Sequence, residues 1–289
     1  MKIAFIGLGA MGYPMAGHVA REHEIKVWNR TTEVAVRHAE EHGTIAVERL
    51  EDCAAQDVIL TILPTSREVD EIVEVLVPLL GEGGLWIDCT SGDPESSSRT
   101  AARLFRQKIG FVDAPVTGGT PGANAGTLTV MVGGTEESYV RACEVLGTFG
   151  SRLIHVGEAG AGHAVKAANN AMLAANLWTA AECLLTLKKL GINLRSALEV
   201  LNAGSGRSFV SESLLPSRIL EGEWPVTFKL ALQEKDLRIA ASMAHSSHLA
   251  MPMIGLTTQL FTAALNDLGE GADYVEVVKY VAKMNGETW

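Results

Sequence analysis

A lysine and an amide side chain, spaced four residues apart, stand near the middle of this 289-residue chain. The segment from Gly160 to Asn170 reads GAGHAVKAANN and opens a helix-forming run that continues to about Leu190. On a helix, residues four apart lie on one face, so Lys166 and Asn170 present an ammonium and a carboxamide together. Because this pair is unusual for a purely structural Ala-rich helix, the segment is a candidate ligand-binding surface.

The chain opens on a strand, a glycine turn and a helix in succession. An apolar run from Lys2 to Ile6 leads into Gly7-Leu8-Gly9-Ala10-Met11-Gly12, and a second strand is predicted from Ile25 to Trp28. In this context the first glycine permits the turn, the second lets a pyrophosphate approach the backbone, and the third lets helix and strand pack closely. The helix N-terminus donates N–H groups to the phosphates. The pattern predicts dinucleotide binding; a glycine turn used only for packing is the alternative.

The end of the second strand indicates which dinucleotide is bound. Folds that bind NAD usually place Asp or Glu there to accept hydrogen bonds from the ribose 2′-OH, whereas this chain has Asn29-Arg30-Thr31. Arg30 can pair with a 2′-phosphate, and Asn29 and Thr31 can donate hydrogen bonds to it. The alternative is an exposed arginine at a helix start, with Thr31 or Thr32 as the cap. We therefore predict NADP(H) in preference to NAD(H).

Strands and helices alternate through the first half of the chain, and only helices follow. Further strands are predicted at Asp57 to Leu63, Leu85 to Asp88, Phe111 to Asp113, Leu128 to Val132 and Arg152 to Val156. After the long central helix, helices are predicted at Leu194 to Ala203, Ser208 to Leu220, Leu230 to Ser246, Met253 to Leu268 and Tyr274 to Met284. This order predicts an α/β Rossmann-type doubly wound sheet over residues 1–160 and an all-α C-terminal domain over residues 161–289, joined by a long hinge helix.

Three turns follow predicted strands at the edge where open α/β sheets bind their ligands. They are Leu63-Pro64, the hydroxyl-rich Cys89-Thr90-Ser91-Gly92, and the glycine-rich segment from Asp113 to Gly126. Consecutive N–H groups around Gly118-Gly119, with the Thr117 hydroxyl, can bind a carboxylate without a charged side chain. A flexible loop before the next strand is an equally good interpretation of this third segment.

Composition argues against several classes of partner. The chain is 47% hydrophobic and 20% charged, with a net charge of −10, which argues against nucleic acid or an anionic membrane surface as a partner. The 4 cysteines are scattered and no Cys/His cluster has metal-ligand spacing, so we expect reduced thiols and no metal. No basic leader and no apolar run near the roughly 18 residues of a bilayer span occurs. We expect a cytoplasmic protein with no membrane segment.

Four motifs stand in a fixed order and together resemble the β-hydroxyacid dehydrogenase family, which includes 3-hydroxyisobutyrate dehydrogenases and related semialdehyde reductases. The resemblance covers essentially the whole chain, and four ordered motifs are far more specific than any one of them. The motifs are Gly7 to Gly12 continuing into Tyr13-Pro14-Met15-Ala16, Asp113 to Gly126 with its tail to Gly134, Gly160 to Asn170, and Lys235-Asp236-Leu237.

The resemblance implies a role for each matching residue. Lys166 matches the family's catalytic lysine, and Asn170 matches the amide that holds the substrate. Thr117-Gly118-Gly119 match a substrate-anchoring segment that usually reads Ser-Gly-Gly, and the added methyl group of the threonine can narrow the pocket. Three residues match positions on the nicotinamide side of the cofactor: Leu63, Pro64 and Ser91. Lys235 matches a cofactor-contacting lysine of the helical domain. The residues alone favour a different interpretation of Lys235-Asp236, an exposed charge pair.

The implied reaction is hydride transfer between C4 of nicotinamide and the carbinol carbon of a small 3-hydroxy acid, with 3-hydroxyisobutyrate and methylmalonate semialdehyde as the first candidate pair. Lys166 would be the general base in oxidation and the general acid in reduction. Because oxidation requires a neutral lysine, we expect the rate of the oxidation reaction to rise towards alkaline pH. The family commonly assembles as dimers or tetramers through the helical domain.

Other functions remain open at this point. A reductase of succinic, glyoxylic or tartronic semialdehyde would share every residue named above. A protein that binds NADP without catalysis is an alternative of another class, which loss of the lysine would have favoured. An imine-reducing enzyme of the same fold would carry an acid or a tyrosine in place of Lys166, and this chain does not.

Overall fold

The computed structural model describes every residue from Met1 to Trp289. By contacts between Cα atoms, the chain divides into two compact units, Met1–Lys166 and Ala167–Trp289. This division lies inside the long central helix, a little beyond the boundary predicted at residue 160. Lys166 is therefore the last residue of the first unit, and Asn170 belongs to the second.

The first unit is built on a 9-stranded sheet. Its strands are β1 (Lys2–Ile6), β2 (Glu24–Trp28), β3 (Ile45–Ala46), β4 (Val58–Thr61), β5 (Leu85–Asp88), β6 (Gly110–Asp113), β7 (Val116–Thr117), β8 (Leu128–Gly134) and β9 (Gly150–Gly157). The spatial order is β3-β2-β1-β4-β5-β6-β8-β7, with β9 paired to β8. Strands β1 to β6 run parallel, whereas β8 is antiparallel to β6. The carboxyl ends of the parallel strands therefore meet at one edge, and the predicted Rossmann-type sheet is confirmed.

Alternate residues of β1 lie in two separate apolar layers. Ile3 and Phe5 pack on one side of the sheet, and Ala4 and Ile6 pack on the other. Burial on both faces explains why these parallel strands read as continuous apolar runs. The helices of this unit are α1 (Gly12–Val19), α2 (Thr32–His42), α3 (Ser66–Leu76), α4 (Pro94–Phe105), α5 (Gly119–Ala125) and α6 (Glu136–Leu146).

Side-chain caps begin the helices that follow β4 and β5. The Thr65 hydroxyl accepts a hydrogen bond from the Arg67 N–H at 3.1 Å at the start of α3. At the start of α4, the Asp93 carboxylate accepts one from the Glu95 N–H at 3.1 Å, with Pro94 at the first helical position. These caps fix where the chain leaves the ligand-binding edge of the sheet.

The glycine-rich segment after β6 has regular structure. Strand β7 pairs antiparallel with β8, and helix α5 follows at once. Gly118 and Gly119 join the two with φ angles of 128° and 61°, conformations that favour glycine. The flexible-loop interpretation of this segment is therefore wrong.

The second unit consists of helices. The long helix α7 (Ala161–Lys189) begins in the first unit, and α8 (Leu194–Ala203), α9 (Leu230–Ser246), α10 (Pro252–Leu268) and α11 (Val277–Met284) follow, with a 3₁₀ turn at Tyr274–Glu276. The core of this unit contains Trp178 and Phe261, whose ring centroids are 5.9 Å apart. None of the helices combines the length and the apolar character that a membrane span requires.

One predicted helix differs in type. The segment predicted as an α-helix from Ser208 to Leu220 is a π-helix, Val210–Ile219, with Pro216 inside it. Proline has no N–H to donate and its ring clashes with the preceding turn, so a regular α-helical ladder is interrupted there. The α8 and α9 bounds, in contrast, agree with the prediction.

Candidate active site

The glycine turn after β1 packs tightly at two of its glycines and is open at the third. A Cβ atom at Gly7 would lie 2.2 Å from the Ile62 carbonyl oxygen, and one at Gly12 would lie 2.0 Å from the Gly7 carbonyl oxygen. At Gly9, in contrast, no atom lies within 4 Å of such a Cβ. Gly7 and Gly12 are thus required by packing, and Gly9 leaves backbone exposed to a ligand. This arrangement fits a dinucleotide pyrophosphate, with Leu8, Ala10 and Met11 completing the turn.

The end of β2 is bonded to the same turn. The Gly7 N–H donates to the Trp28 carbonyl at 3.0 Å, and the Leu8 N–H donates to Asn29 Oδ1 at 3.0 Å. The Asn29 amide nitrogen donates to the Thr31 carbonyl at 3.0 Å. Asn29 therefore has a structural task that the sequence did not indicate, because its side chain joins β2 to the glycine turn.

Arg30 and Thr31 lie beside that joint and are exposed. The Arg30 guanidinium forms no hydrogen bond or ion pair within the chain, and Thr31 precedes α2 without a side-chain capping bond. The alternative of an exposed arginine at a helix start, with Thr31 or Thr32 as the cap, is thus seen in part: Thr31 stands at the N-cap position, but its side chain makes no capping bond.

The ends of β4 and β5 are tied together by hydroxyl groups. The Leu63 N–H donates to Thr90 Oγ1 at 3.0 Å, and the Thr90 N–H donates to the Asp88 carboxylate at 3.1 Å. These bonds fix the backbone that carries Leu63, Pro64 and Ser91, of which Pro64 is exposed and the other two are partly buried. All three predicted positions thus lie at the same edge of the sheet as the glycine turn.

The start of α7 is bonded to the end of β6. Asp113 Oδ1 accepts a hydrogen bond from the Gly160 N–H, and Oδ2 accepts one from the His163 N–H, each at 2.7 Å. Burial raises the pKa of Asp113, while the His163 ring and these N–H groups oppose the shift. Lys166 lies three residues after His163 on the same helix. Its backbone is therefore close to the carboxyl edge of the parallel strands.

In the second unit, Asn170 belongs to a buried polar cluster. Its Nδ2 donates to Asp236 Oδ2 at 2.5 Å, and its Oδ1 accepts from Asn169 Nδ2 at 3.0 Å. Asp236 also forms an ion pair with Lys235, at 3.0 Å between Nζ and Oδ1. Because Asp236 is 1% exposed, the interpretation of Lys235-Asp236 as an exposed charge pair is wrong. The Asn170 amide has one further N–H donor and one further acceptor position beyond these two bonds.

Sequence reasoning missed two carboxylates, Asp113 as a helix anchor and Asp236 as the partner of Asn170. The available signal was weak in both cases: an acid that ends a buried strand, and an acid in an otherwise apolar stretch of a helix. No three His, Cys, Asp or Glu side chains come together in a set that could hold a metal ion.

Comparisons with known proteins agree with this arrangement. A family model for the NAD binding domain of 6-phosphogluconate dehydrogenase matches residues 2–157. A second one, for the NAD-binding domain of NADP-dependent 3-hydroxyisobutyrate dehydrogenase, matches residues 160–281. Among curated relatives, the 2-(hydroxymethyl)glutarate dehydrogenase of Eubacterium barkeri is 35% identical over 99% of this chain and 96% of its own.

Solved structures agree as well. The 3-hydroxyisobutyrate dehydrogenase of Mycobacterium tuberculosis, determined with L-serine, superimposes with a TM-score of 0.90 at 28% identity, covering 97% of this chain and 98% of the other. Psf3, determined with NADP⁺ and 2-OPP, gives 0.85 at 25% identity, covering 96% and 99%. The chain therefore belongs to the β-hydroxyacid dehydrogenase family and is an oxidoreductase that uses a nicotinamide cofactor.

Proposed function

We propose that this enzyme oxidises a small 3-hydroxy acid with NADP⁺, without a metal, and that 3-hydroxyisobutyrate is the first candidate substrate. The position of Lys166 carries the proposal. It lies near the start of α7, and that start is bonded to the end of β6, at the edge of the sheet where the glycine turn leaves Gly9 open. An amine at this edge is suited to exchange a proton with a substrate hydroxyl beside a bound nicotinamide.

Each remaining polar group has a proposed task. Bound nicotinamide supplies the hydride acceptor. Neutral Lys166 takes the hydroxyl proton in oxidation, and the ammonium form returns it to the carbonyl oxygen in reduction. The exposed N–H groups of Gly118 and Gly119, with the Thr117 hydroxyl, bind the substrate carboxylate. Asn170 holds the substrate, and its bond to Asp236 fixes the amide orientation.

Preference for NADP rests on the end of β2. Arg30 is exposed, forms no ion pair within the chain, and has no acidic residue among its immediate neighbours Asn29, Thr31 and Thr32. A guanidinium in this position favours a 2′-phosphate, whereas an acid would repel it. Because Asn29 is engaged with Leu8 and Thr31, we assign the main phosphate contact to Arg30 and a hydroxyl contact to Thr31. In the second unit, we assign a cofactor contact to Lys235. The ion pair with Asp236 fixes the position of the Lys235 ammonium.

A second candidate substrate is 2-(hydroxymethyl)glutarate, on which the Eubacterium barkeri relative acts by its name. Both molecules are 3-hydroxypropionates that carry one substituent on the carbon next to the carboxylate. The proposed contacts to the hydroxyl and to that carboxylate are the same for both. The two molecules differ in the substituent, which is a methyl group in 3-hydroxyisobutyrate and a carboxyethyl group in 2-(hydroxymethyl)glutarate.

Initial rates test the proposal directly. We would measure reduction of NADP⁺ and NAD⁺ at alkaline pH with each of the two hydroxy acids. We expect turnover with NADP⁺ to exceed turnover with NAD⁺, and 3-hydroxyisobutyrate to be oxidised. Turnover only with 2-(hydroxymethyl)glutarate would select the second candidate. If the protein binds NADPH but oxidises neither, reduction of succinic, glyoxylic and tartronic semialdehydes follows, and inactivity there as well would leave a binding protein without catalysis.

We also propose that the protein forms a homodimer or homotetramer through its helical unit. The proposal is supported by several large apolar side chains of that unit that are at least 54% exposed and that a second chain would bury. They include Met172, Val200, Phe209, Met253 and Leu256. Light scattering should give two or four times the mass of one chain; a monomer at micromolar concentration would contradict this.

A further inference from the structure

Asp113 bonds the first residues of α7 to the sheet. Its side chain is fully buried, and its two oxygens accept the N–H groups of Gly160 and His163 at 2.7 Å each. The first N–H groups of any helix have no partner inside the helix. The Asp113 carboxylate therefore accepts hydrogen bonds from N–H groups at the start of α7. Its negative charge also interacts favourably with the positive end of the helix dipole.

Glycines on both sides make room for this carboxylate. A Cβ atom at Gly133 would lie 2.5 Å from Asp113 Oδ1, and one at Gly162 would lie 2.8 Å from Asp113 Oδ2. Gly160 has a φ of 97°, and a Cβ there would lie 2.7 Å from the Pro94 carbonyl oxygen. Gly162 thus makes room for the Asp113 carboxylate, and Gly160 makes room for the backbone at the start of α4.

Asp113 is surrounded by other polar groups of the first unit. Asp88 is its register partner on β5, and the His163 ring shares a 2.7 Å hydrogen bond with Ser97 and lies 3.9 Å from Asp88. Burial raises the pKa of Asp113, although the His163 ring opposes the shift. An acid with a raised pKa adds stability below its unfolded pKa, and that contribution is lost as pH rises through the folded value. The role assigned to Asp113 rests on geometry, since its two oxygens bond the first turn of α7 at 2.7 Å each.

We propose that Asp113 is a positioning residue for catalysis: it fixes the first turn of α7 against β6 and so holds Lys166 where the substrate hydroxyl is bound. The inference rests on the proposed function of Lys166. Displacement of a catalytic group by about 1 Å costs on the order of 100-fold in rate. The effect falls on the chemical step, because Asp113 does not line the glycine turn or the end of β2.

Asp113→Asn tests the inference, with Asp273→Asn as the matched control. The Asn side chain has the same shape but keeps one acceptor oxygen for two N–H groups. Asp273 is also fully buried and accepts backbone N–H bonds, from Thr227 at 2.7 Å and from Val275 at 3.0 Å, but it lies in the second unit. We would measure kcat, KM for NADP⁺, and the isotope effect with substrate deuterated at the carbinol carbon.

We expect Asp113→Asn to lower kcat by about 10- to 100-fold with KM for NADP⁺ within about twofold, and to increase the isotope effect because the chemical step becomes slower. Asp273→Asn should lower the melting temperature and leave kcat and the isotope effect unchanged. Asp113→Ser, whose shorter side chain removes both bonds to α7, serves if the Asn variant does not fold, and we again expect a lower kcat with an unchanged KM for NADP⁺.

Unchanged kcat in a folded Asp113 variant would overturn the inference. So would a loss of kcat that the Asp273→Asn control shares. Lys166→Ala, assayed on the same day, separates failure of the positioning inference from failure of the proposed function. If Lys166→Ala keeps its activity, the catalytic assignment is wrong; if it is inactive while Asp113→Asn is normal, only the positioning role is wrong.

Discussion

The turn after β1 and the start of α7 both contain two glycines separated by one residue, Gly7 and Gly9 in one and Gly160 and Gly162 in the other, and the structure uses Gly9 and Gly162 in opposite ways. In the turn after β1, Gly9 has no atom within 4 Å of an added Cβ, so the backbone is open to a ligand. At the start of α7, Gly162 would place a Cβ 2.5 Å from the Met131 carbonyl oxygen, so the space is already filled by the protein. We propose that the first segment binds the cofactor and that the second positions Lys166. Glycine spacing alone does not distinguish the two.

The largest effect is expected from Gly162→Ala. The new methyl group would meet the carbonyl oxygens of Met131 and Asp113 at 2.5 and 2.7 Å, atoms that move only with the backbone. We expect the free energy of unfolding to fall by about 3 kcal/mol or more. Turnover should fall by about 100-fold, since the start of α7 must shift. Urea unfolding and kcat measure the two effects. A variant with normal stability would show that this helix start tolerates a side chain. Gly162 would then no longer differ from Gly9.

Gly9→Ala is expected to act on binding rather than stability. Because no atom approaches the added methyl group within 4 Å, the free energy of unfolding should stay within about 0.5 kcal/mol of the original. The methyl group would occupy space assigned to the pyrophosphate, so affinity for both NADPH and NADH should fall by about 10- to 100-fold. Fluorescence titration of bound NADPH checks this. Unaltered affinity would mean that the pyrophosphate lies elsewhere.

Arg30→Ala should affect one cofactor only. Loss of the guanidinium should weaken NADPH binding by about tenfold, consistent with one charge-assisted contact at an exposed site, and should leave NADH binding unchanged. The natural control is Arg37, an exposed arginine on α2 whose guanidinium lies 5.6 Å from the centre of the Tyr13 ring. Arg37→Ala should retain the preference for NADPH. Equal losses for both cofactors in Arg30→Ala would argue against 2′-phosphate recognition.

The smallest effect is expected beneath the glycine turn, at His38. Its ring is buried, lies 2.9 Å from Thr44 Oγ1, and is 3.1 Å from the Tyr13 carbonyl of α1. Burial, and then the charge of His42, lower the pKa of His38 to about 4. A lowered pKa means that stability is lost as pH falls from about 6.5 towards 4. His38→Gln, which has no such titration, should shift the midpoint of acid unfolding to lower pH by about half a unit. A shift to higher pH would mean that the lost hydrogen bonds outweigh the titration.

The sequence predicts most of the first unit because its signals are local. The strand, the glycine turn and the helix that follows are adjacent in the chain, and so are the apolar runs that become β4 and β5. The bonds that position α7 are different in kind: Asp113 is separated from Gly160 by 47 residues and from His163 by 50. Asn170 and Asp236 are separated by 66. No periodicity or spacing rule connects such residues, so their partnership becomes visible only in the folded chain.

Local reasoning also missed backbone interactions of two residues. Asn29 was expected to contact a 2′-phosphate, but its amide also accepts from the Leu8 N–H. Pro216 lies within a helix-forming run, yet the backbone accommodates it by a change of helix type rather than by ending the helix. In both cases the competing interaction comes from the backbone, whose hydrogen bonds are not written in the residue pattern.

The most direct test of the whole account is turnover of Lys166→Ala and Lys166→Arg beside the original enzyme, with NADPH affinity measured on the same samples. Proton transfer by a positioned group contributes about 100- to 10,000-fold, so both variants should lose at least about 100-fold in kcat while binding NADPH normally. The arginine keeps the positive charge but does not deprotonate at accessible pH. If the arginine variant retains turnover within about tenfold, charge rather than proton transfer is the contribution of this position, and Lys166 is not the general acid and base.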